Sequence, residues 1–350
     1  MKVPRSHLVP LLNALHRTGT DRIAVSHPAD VVGELLEIRL DAPDETEVRL
    51  TKDVDDYQAT RERVFRDCDE SAYEDLPDHS TYVRALTAAG LVPPTNQDDL
   101  EGYLDRHGYR DLEHGHPPLV LGIDANVFPW ELPSVLGFDH RTGRKDDSGR
   151  RATNGYALAT GVKEELDWYF KHYDTSSLEA AFGPEFERLS DQPAGSNREG
   201  FLGLYAYRKL MATRNVDEVE TGTGDESIVD GYATYEAESR KTPLLLSNDY
   251  GFVDDAHDAG LLAHHVQFAP VVPRTVEANW REVADLLYFL SVLFGVLVLP
   301  KVTIYGVWNG KSGLDWQQEL LEVDCRSPKI EPLVDRQLQI VTAYEGRTTS

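Results

Sequence analysis

The chain has 350 residues, 41% of them hydrophobic, with 60 acidic against 35 basic side chains and a formal charge of −25. That is enough apolar material to bury the core of one large domain or two ordinary ones. The two cysteines, Cys68 and Cys325, exclude a disulfide framework or a CxxC zinc site, and the first residues, MKVPRSHLVPLLNALHRTGTD, lack the apolar core of a signal peptide, so the expected location is cytoplasmic.

Residues 1–115 read as a mixed α/β region with no chemical constellation. VPLLNALHRT has the spacing of a short helix. DRIAVSHPADVVGELLEIRL starts like a strand and continues with helical spacing, and EVRLTKDV alternates like a strand. TYVRALTAAGLVPPTNQDDLEGYLDRHGY reads as two short helices joined at Pro93-Pro94, with Asn96 or Asp98 as cap.

A different pattern begins at residue 116 and runs to about 270. LVLGID is a short strand of the fully buried kind. Between Phe138 and Asn154 lies a Gly-rich polar loop, HRTGRKDDSGRR, which carries Arg141, Arg144, Lys145, Arg150 and Arg151. YALATGVKEELDWYF leads into a helix reaching Phe170, and the Pro- and Gly-rich stretch from Phe182 to Gly200 reads as a loop. FLGLYAYRKLMAT is helical. TGTGDESIVDGYATYEAES is a glycine turn opening an amphipathic helix, with Ile228, Val229, Tyr232 and Tyr235 on one side. LLLSND is a strand, DDAHDAG a short helix ending at Gly260, and HHVQFA a strand. This alternation predicts an α/β fold with a largely parallel sheet flanked by helices.

Residues 271–350 read as a helix and hairpin extension. LLYFLSVLFGVLVL, Leu286 to Leu299, is shorter than the ~20 apolar residues that span a bilayer. It is flanked by Arg281, Asp285 and Lys301, so it reads as a buried helix running into a sheet, with membrane insertion as the minor alternative. VTIYGVWNGK predicts a strand that turns at Asn309-Gly310 in a hairpin.

In so acidic a chain, a lone carboxylate means little and only its position can distinguish it. Ligands of an open parallel sheet bind outside the carboxyl ends of its strands. Two apolar strands here end on an acid, LVLGID at Asp124 and LLLSND at Asp249. If these strands are neighbours, both carboxylates lie on one edge. GVKEEL puts Glu164 and Glu165 in a first helical turn, and TGDESIVDG puts Asp225 at an N-cap near the same edge. Four carboxylates gathered there repel one another unless a cation holds them. Oxygen ligands without Cys or His suit Mg²⁺ or Mn²⁺.

At these residues the chain, from about Leu119 to Ala269, resembles the PIN domain, a metal-dependent ribonuclease fold. Asp124-Ala125-Asn126 matches the Asp-x-Asn that closes the family's first strand. Glu165-Leu166 matches its helical Glu, Asp225 in GDESIVDG its third acid, and Ser247-Asn248-Asp249-Tyr250-Gly251-Phe252 its Ser/Thr-x-Asp-x-x-Phe. Glu164 and Asp230 are alternatives for the second and third acids, and Asp254 is a further candidate. The gap from Glu165 to Asp225 exceeds that of compact members, so an insertion is expected around Gly183 to Gly200. The resemblance implies an endoribonuclease in which Asp124, Glu165, Asp225 and Asp249 hold Mg²⁺ or Mn²⁺ and Asn126 or Ser247 orients a ligand or water. It makes RNA the expected substrate, and a homodimer or a protein regulator expected partners. The acidic composition is the pattern seen in halophilic archaea: like charges repel at low salt and are screened near 1 M, where the Debye length is about 3 Å.

Each of these residues also has a plainer reading. Asp124 turns a chain, Asp249 makes an Asx-turn, Glu165 answers a helix dipole, and Asp225 caps a helix. The basic loop is either a phosphate grip or a solvated loop diluted by Asp146 and Asp147. His264 and His265 read as structural, Trp308 and Trp316 as core or a subunit contact. A degenerate PIN-like scaffold binding RNA or a protein is the main alternative function. A haloacid-dehalogenase-type phosphatase requires Asp-x-Asp, and Asn126 stands in the third place.

Overall fold

The computed structural model describes residues 1–167 and 175–348. The chain forms two compact units, one from residues 1–92, 172–198 and 270–350, the other from residues 93–171 and 199–269. This corrects the expected division at 115 and 270 into three consecutive regions. The two ends of the chain build one unit together, because their strands pair with each other.

In that first unit an eight-stranded sheet runs in the order Lys2–Pro4, Leu320–Cys325, Val302–Tyr305, Val296–Leu299, Arg22–Ser26, Glu34–Ala42, Glu45–Leu50, Thr275–Ala278. Every neighbouring pair is antiparallel. Glu45–Leu50 alternates exposed and buried residues, as a half-buried strand does. The stretch GELLEIRL, expected to be helical, is the strand Glu34–Ala42: Leu36, Ile38 and Leu40 are buried at a period of two. Leu8–Arg17 and His79–Ala88 are helices, as their spacing predicts.

The apolar run after residue 280 is the helix Trp280–Phe294, started by a capping box between Asn279 and Glu282. It packs on the strands Val296–Leu299 and Val302–Tyr305. Among the described residues no helix is long and apolar enough to cross a membrane. The hairpin expected at Asn309-Gly310 forms earlier: Val296–Leu299 and Val302–Tyr305 are joined at Pro300-Lys301, with Lys301 at φ 68°. Asn309-Gly310 instead leads to the short helix Gly313–Gln317 and on to Leu320–Cys325. Trp308 and Trp316 are core residues, and the Lys311 ammonium lies 4.8 and 3.7 Å from their ring centres.

The second unit holds a five-stranded sheet in the order Val216–Val219, Gly155–Ala159, Leu119–Ile123, Thr242–Ser247, Leu262–His265. All its strands are parallel. Leu119–Ile123 and Gly155–Ala159 are buried at every position, which is why they read as unbroken apolar runs. Parallel strands need crossovers, and helices supply them. Thr160–Asp167, Asp225–Ser239 and Tyr250–Asp258 pack on the strands. Gly122 is required in the central strand, since a Cβ there would lie 2.9 Å from the buried Tyr232 ring and meet Leu245. Gln97–His107, expected with the N-terminal region, belongs to this unit. Asn96 precedes it without capping it; its side chain instead donates to the His265 carbonyl at 2.6 Å and accepts from the Gln267 amide at 3.0 Å.

The long gap between Glu165 and Asp225 has a physical account. Residues 172–198 belong to the antiparallel unit and include the helix Ser176–Phe182 and, inside the stretch from Phe182 to Gly200 that was expected to be a loop, the 3-10 turn Pro184–Leu189. The helical extension expected at 168–170 lies outside the described residues.

Candidate active site at the carboxyl edge of the parallel sheet

In chain order the parallel strands stand 3-2-1-4-5, so the strand order reverses between Leu119–Ile123 and Thr242–Ser247. A crevice opens at such a switch point because the connections leave in opposite directions. The two acid-tipped strands are the neighbours that flank it. Ile123 pairs with Leu246, and the Asp124 amide donates to the Leu246 carbonyl at 3.0 Å.

Ser247 ties the two tips together. Its buried hydroxyl donates to Asp124 Oδ2 at 2.5 Å and accepts from the Asp249 amide at 2.9 Å and from Asn126 Nδ2 at 3.3 Å. A hydroxyl has one proton and two lone pairs, so Ser247 is fully used within the protein. Asn126 Oδ1 accepts from the Asn248 amide at 3.0 Å. Both residues, expected to orient a ligand or water, instead clamp one strand end to the other. Asp249 caps the helix Tyr250–Asp258, its Oδ1 accepting from the Gly251 amide at 2.7 Å.

Asp124 is the buried carboxyl of the group, 8% exposed. Desolvation pushes its pKa up to about 6. Hydrogen bonds from Ser247 and the Ala125 amide oppose that rise, and the charges of Asp225 and Glu165 add to it. Asp225 is raised too, by partial desolvation and then by the charges of Asp249 and Asp255. The four expected acids therefore lie in one connected electrostatic field, although they span more than a hundred positions of sequence.

The alternatives that the sequence left open differ in where their charges act. Glu165 is the one of the pair whose charge raises Asp124; it sits in the second turn of Thr160–Asp167, beyond the first turn where it was expected. Its Oε1 accepts from the Gly224 amide at 3.0 Å, joining this helix to the start of Asp225–Ser239. Nearby, the Thr160 hydroxyl donates to the Thr221 carbonyl and accepts from the Thr221 amide, the Thr221 hydroxyl accepts from the Gly161 amide, and Gly161 permits that approach, since a Cβ there would collide with the Gly222 carbonyl. Asp225 is the first helical residue, and Gly224, at φ 86°, takes the cap position expected for Asp225. Asp230 lies farther along that helix, and Asp225 is the one that meets the field of Asp249. Asp255, one residue beyond the expected Asp254 on the helix Tyr250–Asp258, adds its charge to the field at Asp225. The alternating apolar and acidic letters of FVDDAHD do not fix which of two adjacent aspartates faces inward.

The basic loop is not brought to these acids. It ends where the strand Gly155–Ala159 begins, at the amino edge of the sheet, about 17 Å from the carboxyl edge for a five-residue strand at ~3.3 Å per residue. Its charges are also engaged locally. Arg141 donates to the Thr213 carbonyl and Arg151 to the Gly143 carbonyl. Arg150 pairs with Asp146 at 2.8 Å and Asp111 at 3.6 Å, and Arg144 approaches Glu101 at 3.9 Å. Lys145 is exposed in the same loop.

The donor set at the carboxyl edge is carboxylate oxygen throughout, which suits a hard divalent ion in chemistry and in charge. Among the described residues no group of three or more His, Cys, Asp or Glu side chains is placed to hold a metal ion. In comparisons with known proteins, no family model, no curated protein and no solved structure matches the chain.

Proposed function

We propose that the protein is a divalent-metal-dependent endoribonuclease of PIN-like type, acting at the carboxyl edge of its parallel sheet. One observation carries this reading: a buried carboxylate at the switch point, Asp124, is acted on by the charges of further acids, and none of the charges described as acting on it is a cation. An unneutralised charge of that kind is costly unless a ligand answers it. The order and element types named by the resemblance support it as well, with Asp124 and Asp249 after strands and Glu165 and Asp225 on helices.

Asp124, Glu165, Asp225 and Asp249 would hold Mg²⁺ or Mn²⁺, and when bound such an ion supplies an activated water and a counter-charge for the leaving oxygen. The chain's own contribution is positional. Ser247 holds Asp124 through Oδ2 and fixes the Asp249 amide, so the two strand tips move as one piece. The amide contacts leave Asp249 Oδ2 and Glu165 Oε2 without a hydrogen bond among those described. No side chain acts as nucleophile.

The test is cleavage of single-stranded RNA by the purified chain with Mn²⁺ in high salt. Asp124→Asn abolishes the cut on this reading. Metal-independent cleavage, or activity that survives the substitution, removes it. One observation favours the second reading, a degenerate scaffold that binds RNA or a protein partner: three acids do not yet enclose an ion. Calorimetric titration with Mn²⁺ separates the two, since a decayed site shows no saturable binding.

A further inference from the structure

Among the described phenylalanine, tyrosine and tryptophan residues only Phe65 and Tyr250 are exposed. Phe65 lies in the antiparallel unit, edge-on to Tyr73. Tyr250 follows Asp249 directly, is 60% exposed, and opens the helix that Asp249 caps. Its ring is not loose. It lies on the His265 imidazole with centroids 3.5 Å apart and planes within 16°.

His265 is itself fixed. Its Nε2 donates to the Asn248 carbonyl at 3.1 Å, and the Asn248 side chain donates to the Val266 carbonyl at 2.6 Å. The Asn248 amide in turn bonds Asn126 Oδ1. A continuous set of contacts therefore runs from the clamp beneath Asp124 to the Tyr250 ring. A flat aromatic surface is held at the sheet's carboxyl edge, with one face covered by His265.

We propose that the outer face of Tyr250 is a stacking platform for a base of single-stranded RNA, seated beside the phosphodiester that the acids address. The proposal rests on the ribonuclease reading and adds the residue that takes hold of the substrate. Three physical points support it. Every base has a π-face, so an aromatic ring grips single strands without sequence preference. A duplex keeps its bases stacked on one another and offers this ring nothing. The basic loop is at the other edge of the sheet, so phosphate contacts from it do not hold a strand here. Phosphate contacts in general weaken as salt rises, whereas stacking on a neutral ring does not depend on counterion release.

The test uses the full chain carrying Asp124→Asn, so that RNA stays intact, and reads fluorescence anisotropy of a labelled single-stranded oligonucleotide in high salt. Adding Tyr250→Ala weakens binding about tenfold, within the range for loss of one stacked base. Adding Tyr250→Phe leaves it within about twofold, because the ring remains. A blunt-ended duplex of two separate strands binds the Tyr250→Ala chain and its parent alike. Equal affinity of the Tyr250→Ala chain and its parent for the single strand overturns the proposal, as does the absence of any RNA binding. In the otherwise unsubstituted chain, Tyr250→Ala raises KM and leaves kcat nearly unchanged. Failure of cleavage with Tyr250-dependent binding intact removes the ribonuclease reading and not the platform, so the two failures are distinct.

Discussion

Two buried aspartates stand at opposite edges of the same parallel sheet and have opposite electrostatics. Asp139, at the amino edge, is fully buried. Its Oδ2 accepts from Tyr156 Oη at 2.7 Å and Arg214 Nε at 2.9 Å, and its Oδ1 from the amides of Arg141 and Thr142 and the Thr142 hydroxyl, each at 2.9 Å. Burial alone would raise its pKa, but those donors and the guanidinium hold it well below the usual carboxylate range. Asp124, at the carboxyl edge, has one hydroxyl, one amide and two acidic neighbours, and is raised to about 6. Burial of a carboxylate therefore does not mark a functional site by itself. A satisfied anion stabilises the fold, and an unsatisfied one marks a place where something else belongs.

That contrast can be broken by substitution. The largest expected effect on stability is at the amino edge. Asp139→Ala leaves Arg214 and Tyr156 without their partner and costs about 3–5 kcal/mol, read from urea unfolding of the whole chain. At the carboxyl edge the sign reverses. Asp124 has a folded pKa raised above its unfolded value near 3.9, so the folded state binds its proton more tightly. Its contribution to stability is therefore present below about pH 4, is lost as pH rises to about 6, and is flat above. At about 1.4 kcal/mol per unit, Asp124→Asn stabilises the protein by about 2–3 kcal/mol at pH 7.5 and by nearly nothing at pH 4, while removing cleavage. A substitution that stabilises the fold and abolishes activity is the signature of a functional carboxylate.

Asp225→Asn is expected to have a smaller effect of the same kind. It removes one of the charges acting on Asp124, and the acid-side change in stability shifts to lower pH, read as unfolding midpoints across pH 4–7. The smallest effect belongs to the basic loop. Arg144→Ala with Lys145→Ala changes cleavage by less than about twofold, because that loop lies at the other edge. A tenfold loss there would show that the two edges act on one substrate.

The carboxyl-edge acids were legible in the sequence because buried parallel strands are written as unbroken apolar runs, and a polar residue ending such a run can only be at a tip. LVLGI before Asp124 and LLLS before Asn248-Asp249 are both of that kind. Several elements of the first unit were legible, but its assembly was not. Lys2–Pro4 pairs with Leu320–Cys325, and Glu45–Leu50 with Thr275–Ala278, and no local pattern records a partner hundreds of positions away. Glu34–Ala42 was obscured by Leu35, which breaks the alternation of Leu36, Ile38 and Leu40 and imitates helical spacing. The basic loop was misplaced for a topological reason: its position between the first and second acids in sequence says nothing about which end of a strand it meets. Asp255 was missed as a contributor beside Asp254 because one residue changes a helix direction by about 100°, given 3.6 residues per turn, and adjacent aspartates look alike in sequence.

The account depends on the carboxylates of one sheet edge sharing a field that a divalent ion neutralises. The most direct measurement is the titration of the Asp124 side-chain carboxyl followed by ¹³C NMR, with and without Mg²⁺. The expected midpoint without the ion is about 6, falling toward the ordinary range on addition of Mg²⁺ and, to a lesser extent, in Asp225→Asn. A midpoint near 4 that neither magnesium nor Asp225→Asn moves would contradict it.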